Sequence, residues 1–158
     1  MQKVILLSVL VLGALANIKD FPRFDIFHSH CEIRATYKNR TCTDTYGRMN
    51  SILHGFSGED PAHGKYSFVE QNATESYFWT VRQSPKGYKD DVSITLAQVG
   101  PDCFAVGRAR ARSFTFTNKG DTYCDIWNVL KYTDVFSGLT TKSCRIVPVH
   151  PEDACVDY

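Results

Sequence analysis

The clearest periodicity lies between residues 104 and 117, where large and small side chains alternate with the period of two that marks a strand. One face carries Phe104, Val106, Arg108, Arg110, Arg112, Phe114 and Phe116. The other carries Ala105, Gly107, Ala109, Ala111, Ser113, Thr115 and Thr117. The small face predicts close packing against a helix or a second sheet. The large face is apolar at both ends, with three arginines between them spaced roughly 7 Å apart at about 3.3 Å rise per residue.

The same alternation recurs upstream over 65–71, 76–83 and 92–97, with Tyr66 and Phe68 sharing one face, Tyr77, Trp79 and Val81 another, and Val92, Ile94 and Leu96 a third. Turn residues separate these segments: Ser84-Pro85-Lys86-Gly87, then Gly100-Pro101-Asp102. Connections this short predict an antiparallel meander. Residues 31–37 read as a further short strand and 143–150 as a last one. Two windows switch to helical spacing. Over 43–54, Tyr46, Met49, Ile52 and Leu53 fall on one face behind Thr43 or Asp44 as caps, with Gly55 as the stop. Over 121–133, Tyr123, Ile126, Trp127 and Leu130 form the stripe behind Asp121 or Thr122. Residues 17–30, with Phe21, Phe24, Ile26 and Phe27 around Pro22, read as an amino-terminal arm or an irregular strand. The expected fold is one α+β domain, an antiparallel sheet of about four to six strands packed with two helices.

The amino end changes the picture of where such a domain works. Residues 1–16 read as a signal peptide: Lys3, the apolar run Val4 to Leu12, then Ala14-Leu15-Ala16 as the cleavage site. That run is shorter than the roughly 20 residues a membrane span needs, so no span is expected. Residues 17–158 form the secreted domain, 142 residues long with 17 basic and 17 acidic side chains. A balance of zero gives no reason to expect a nucleic-acid partner.

All six cysteines, Cys31, Cys42, Cys103, Cys124, Cys144 and Cys155, follow the signal, and an even count in that position predicts three disulfides. Fifteen pairings are open to six cysteines. Spacing suggests neighbours in sequence, 31–42, 103–124 and 144–155, each closing a loop worth about 3 kcal/mol in the chain-entropy model. Asn39-Arg40-Thr41 and Asn72-Ala73-Thr74 fit the N-glycosylation pattern and would place Asn39 and Asn72 on the surface.

Candidate chemistry centres on the arginine row. Arg108, Arg110 and Arg112 could hold a carboxylate or phosphate head group, with Phe114, Trp79 and Tyr77 taking an apolar tail. The competing reading is a solvated outer face. His28-Ser29-His30-Cys31 is the one cluster with metal-ligand chemistry, with His54 or His63 to complete it, but two histidines and a cysteine expected to be oxidised do not make a metal site, and no cofactor is expected. No Gly-x-Ser-x-Gly elbow or His-Glu-x-x-His helix occurs, so hydrolysis has no motif behind it.

"CEIRATYKNRTCTDTYGRMNSIL", "YKDDVSITL", "DCFAVGRARARSFTF" and "GDTYCDIWNVL" together resemble a pattern in small secreted cysteine-containing proteins of uncharacterised function. The likeness spans most of residues 31 to 130 and implies no activity. "DCFAV" and "DIW" are similar to short motifs of tick salivary lipocalins, which makes a lipocalin-like β-barrel the alternative fold. The chain lacks the Gly-x-Trp entry of that family and offers about four strands over 64–120 against the eight of the barrel. The functional expectation is a secreted disulfide-bonded binding protein for a small amphipathic or acidic ligand. The alternative is an extracellular interaction protein, an inhibitor or effector, with a macromolecular partner. A small secreted hydrolase is the third reading.

Overall fold

A computed structural model describes residues 17–114, 121–156 and 158. Residues 1–16, read above as a signal peptide, and Thr115, Phe116 and Thr117 of the alternating stretch lie outside the described residues. The sheet is antiparallel, six-stranded and open, in the order β2-β3-β4-β5-β1-β6. Its strands are β1 (His30–Tyr37), β2 (Lys65–Asn72), β3 (Tyr77–Gln83), β4 (Lys89–Val99), β5 (Asp102–Ala111) and β6 (Ser137–Lys142). The meander β2 to β5 is the one the alternation predicts. β1 lies beyond it, between β5 and β6, because the helix that follows β1 carries the chain across one face before β2 begins. β2 and β6 remain edges, so the lipocalin-like barrel is not formed.

That helix is α1 (Cys42–Phe56), capped by Thr41, whose Oγ1 accepts from Asp44 N at 3.1 Å. With α2 (Asp121–Thr133) it covers one face of the sheet. A third helix, α3 (Pro151–Ala154), is a single turn. The predicted small face of β5 is the contact: Ala105, Gly107, Ala109 and Ala111, with Cys103 before them, are buried beneath the helices. A Cβ on Gly107 would stand 2.1 Å from Ile126 Cγ2, so β5 and α2 approach as closely as only glycine allows. Cys31, Ile33, Ala35 and Tyr37 of β1, Met49 and Leu53 of α1, and Val92, Ile94 and Leu96 of β4 complete the core. Among the described residues no helix is long and apolar enough to cross a membrane.

Three expectations are corrected. The disulfides are not between sequence neighbours; they join Cys31 to Cys144, Cys42 to Cys103 and Cys124 to Cys155. Bonded cysteines need Cα atoms within about 7 Å, whereas strand β1 alone separates Cys31 from the start of α1 by roughly 20 Å. The register decides the partners. Tyr37 pairs with Cys103, which brings Cys42 to it just past the turn, and Glu32 pairs with Lys142, which brings Cys144 to Cys31. The last strand is β6, and residues 143–150 form no strand. β5 likewise ends at Ala111, because its partners run out there: Arg110 faces His30 at the start of β1, and Ala111 faces Asp90 near the start of β4.

Candidate functional site

The face away from the helices is where the candidate residues meet. Cross-strand register puts Glu32, Arg108, Ser93 and Trp79 in one row, and His30, Arg110, Asp91 and Val81 in the next. Tyr77, Thr95 and Val106 form a third row beside them. Arg108, Arg110 and Trp79 therefore share a face, brought together by the register of β3, β4 and β5, with Arg112 and Phe114 following the end of the strand.

Each arginine already faces a carboxylate of the chain. Arg112 makes a bidentate pair with buried Asp91, Nε to Oδ2 at 2.8 Å and Nη2 to Oδ1 at 2.7 Å, and Trp79 Nε1 donates to the same carboxylate at 3.0 Å. Arg110 Nη2 donates to Asp25 Oδ2 at 2.6 Å. The Arg110 guanidinium, then His28, hold the Asp25 carboxyl well below the usual carboxylate range. Arg108 is looser, 3.8 Å from Glu32 Oε2, and its guanidinium lies over the ring of Phe24 at 4.5 Å and that of Phe21 at 5.5 Å. Tyr77 is buried and donates to Glu70 Oε1 at 2.6 Å.

The carboxylate and rings over the row come from the amino-terminal arm, residues 17–29. A 3-10 turn (Ile18–Asp20) capped by Asn17 leads into Phe21, whose ring meets Trp79 edge-on at 5.8 Å. Phe24 stacks on His30 at 4.4 Å, and His28 stacks on Phe114 at 4.9 Å. Between Asn17 and His28 the arm's backbone makes no ladder hydrogen bond to the sheet among the described residues; the first, Ala111 N to Ser29 O, comes where the arm joins β1. Sequence reasoning recognised an arm but not that Phe21, Phe24, Asp25 and His28 belong to this face. The aromatic spacing before the first strand was the available signal.

The histidines do not converge. His28 sits on Asp25 and Arg110, His30 Nδ1 meets the His28 carbonyl, His54 packs on Phe68, and His63 pairs with Glu59. Among the described residues no group of three His, Cys, Asp or Glu is placed to hold a metal. Asn39 is exposed in a left-handed turn with φ 53°. Asn72 is half-buried, its Oδ1 accepting from Thr74 N and Glu75 N.

A second charged cluster lies on the helix face and inside the core. Arg82 donates through Nε to Asp60 at 2.5 Å and sits 3.4 Å from Asp125 and 4.3 Å from the centre of the Tyr158 ring. Tyr158 donates to Asp125 at 3.0 Å, and Tyr66 donates to the Asp125 carbonyl at 2.7 Å. Burial, then the neighbouring Asp90, pushes the Asp125 carboxyl well above the ordinary range, and burial raises Asp90 as well. Asp125 Oδ2 has no hydrogen-bond donor facing it among the described residues. Asp125 is 0% exposed, out of reach of any substrate, which makes this cluster structural.

No protein-family model matches the chain, and no curated protein matches it. A crystal structure of a protein from Chromobacterium violaceum is similar to 65% of this chain and to 94% of its own, with a TM-score of 0.41 at 11% identity.

Proposed function

We propose that the chain is a secreted, disulfide-bonded binding protein that engages an extracellular protein partner through the open sheet face and its apolar rim. The observation that carries this reading is the rim itself. Ile26, Phe27 and Phe114 are 75%, 49% and 71% exposed, and the Phe27 and Phe114 rings touch edge to face at 6.2 Å. Arg145 donates to the Ile26 carbonyl at 2.6 Å, and Ile146, Val147 and Val149, which follow it in sequence, are exposed as well. Large apolar groups gathered in water mark partner surfaces.

A small amphipathic ligand, the other reading of this face, is supported less well. The arginines that would meet its anion are paired within the chain, and the two best-formed concavities hold about 230 Å³ each, one beside Trp127 and Phe136 and the other beside His63 and Gln83. Cavities for ligands of drug size run from about 300 Å³ upward. Secretion and glycosylation at Asn39 and Asn72 belong to the same proposal. Both sequons lie away from the rim, Asn39 in the turn after β1 and Asn72 at the end of edge strand β2.

Native mass spectrometry of the chain secreted from eukaryotic cells, followed by solvent extraction, tests the proposal. A mass accounted for by glycans and three disulfides is expected, together with an extracellular partner whose capture is lost in Phe27→Ser and Phe114→Ser. A stoichiometric small molecule that leaves on extraction overturns it in favour of the ligand carrier.

A further inference from the structure

The arm meets the sheet as a bound peptide would. Two rings and one carboxylate, Phe21, Phe24 and Asp25, seat on Trp79, on Arg108 with His30, and on Arg110. Among the described residues no backbone-to-backbone bond ties the segment from Asn17 to His28 to the sheet. Side chains hold it, with single side-chain contacts to its backbone from Arg145 at the Ile26 carbonyl, His30 at the His28 carbonyl and Tyr77 at Ile18. The fit is also incomplete. Arg108 Nε and Arg110 Nε are buried without an acceptor. A strand edge would select a backbone, whereas this face selects side chains in a fixed order.

Resting on the proposed protein-binding role, we infer that the open sheet face is a receptor for a peptide segment of the form aromatic-x-x-aromatic-acidic. The chain's own Phe21-Pro22-Arg23-Phe24-Asp25 occupies it in cis, and a partner segment of the same chemistry occupies it in trans. Charge complementarity fixes the direction: the carboxylate falls at Arg110, toward the rim of Phe27 and Phe114, and the first ring falls at Trp79. A partner that also offers an acceptor to Arg108 Nε and Arg110 Nε displaces the arm by satisfying donors that the arm leaves unmet. The displaced arm keeps its attachment through Ser29 and β1, so the sheet register is untouched.

The test uses the full chain and a labelled synthetic peptide of residues 18–28, read by fluorescence anisotropy. In the variant Phe21→Ser/Phe24→Ser/Asp25→Asn the receptor face is vacated, and the peptide binds it at least about tenfold tighter than it binds the unchanged chain. Adding Arg110→Gln weakens that binding by about tenfold, the loss of one charge-assisted hydrogen bond. A variant that keeps its three disulfides and near-ultraviolet dichroism but binds the peptide no better than the unchanged chain overturns the inference.

If the triple variant does not fold, the unchanged chain decides. Excess peptide then speeds tryptic cleavage after exposed Arg23 severalfold, and an unchanged cleavage rate overturns the inference. Loss of the peptide site with retention of Phe27- and Phe114-dependent partner capture removes this inference and leaves the proposed function standing.

Discussion

Ile126 occupies the space that a side chain on Gly107 would need: a Cβ there would fall 2.1 Å from Ile126 Cγ2 and 3.4 Å from its Cβ. The contact sets the height of α2 above β5, and with it the depth at which the fully buried residues of α2 sit. Gly107→Ala is expected to destabilise the protein by about 1–3 kcal/mol, the usual cost of overpacking. In urea unfolding, Gly107→Ala/Ile126→Ala should recover part of that loss relative to the sum of the single changes, since the two side chains compete for one volume. Additive losses would show that α2 does not rest on Gly107.

The cysteine pairing is open to direct mapping. Non-reducing proteolysis with mass spectrometry should return peptides joining Cys31 to Cys144, Cys42 to Cys103 and Cys124 to Cys155. The last bond ties α2 to the carboxyl-terminal segment, where Asn128 Nδ2 also donates to the Cys155 carbonyl at 2.8 Å. Its double alanine variant is expected to lose about 3–4 kcal/mol for a loop of this length.

Arg82 is the cation of a core cluster that is otherwise acidic. Burial works against its charge, and Asp125, Tyr158 and Asp60 overcome that cost and hold it protonated. Gly64 makes room for it, since a Cβ there would stand 2.5 Å from the guanidinium. Arg82→Met leaves the buried Asp60 carboxylate without its counter-ion and is expected to cost about 3–5 kcal/mol in chemical denaturation. Arg34→Met, at an exposed pair with Glu32, should cost less than about 1 kcal/mol.

Stability should depend on pH with two limbs of opposite sign. The Asp90–Asp125 pair is raised by burial, so the folded state keeps a proton that the unfolded chain gives up near pH 4. From there upward the folded state binds more protons than the unfolded one. The pair's contribution is therefore whole below about pH 4 and falls by about 1.4 kcal/mol per unit until the raised titration is complete. Asp25 runs the other way. Its carboxyl is lowered by Arg110 and then His28, so its contribution is present above the ordinary carboxylate range and is lost on acidification. Urea midpoints measured from about pH 3 to 9 should show the alkaline slope reduced in Asp125→Asn and the acid limb flattened in Asp25→Asn.

Much of the scaffold is legible in the sequence, because period-two and period-3.6 patterns are local consequences of backbone geometry. Residues 105–111 read as a small face for close packing, and that face lies under α2. Residues 121–133 read as a helix with those bounds, and two short turns implied the meander. Long-range pairing has no such local signature. Cys31 finds Cys144 and Cys42 finds Cys103 because α1 and α2 return β1 and β6 to the far side of β5, a matter of register that loop length does not reveal. The arginine row shows the same division. The alternation placed Arg108, Arg110 and Arg112 on one face, but cross-strand register brings Trp79 to it and the carboxylates that meet the row come from elsewhere in the chain: Asp25 from the arm, Glu32 from β1 and Asp91 from β4. Only the packing of those segments turned three prospective anion-binding residues into three ion pairs within the chain, with the amino-terminal arm over Arg108 and Arg110.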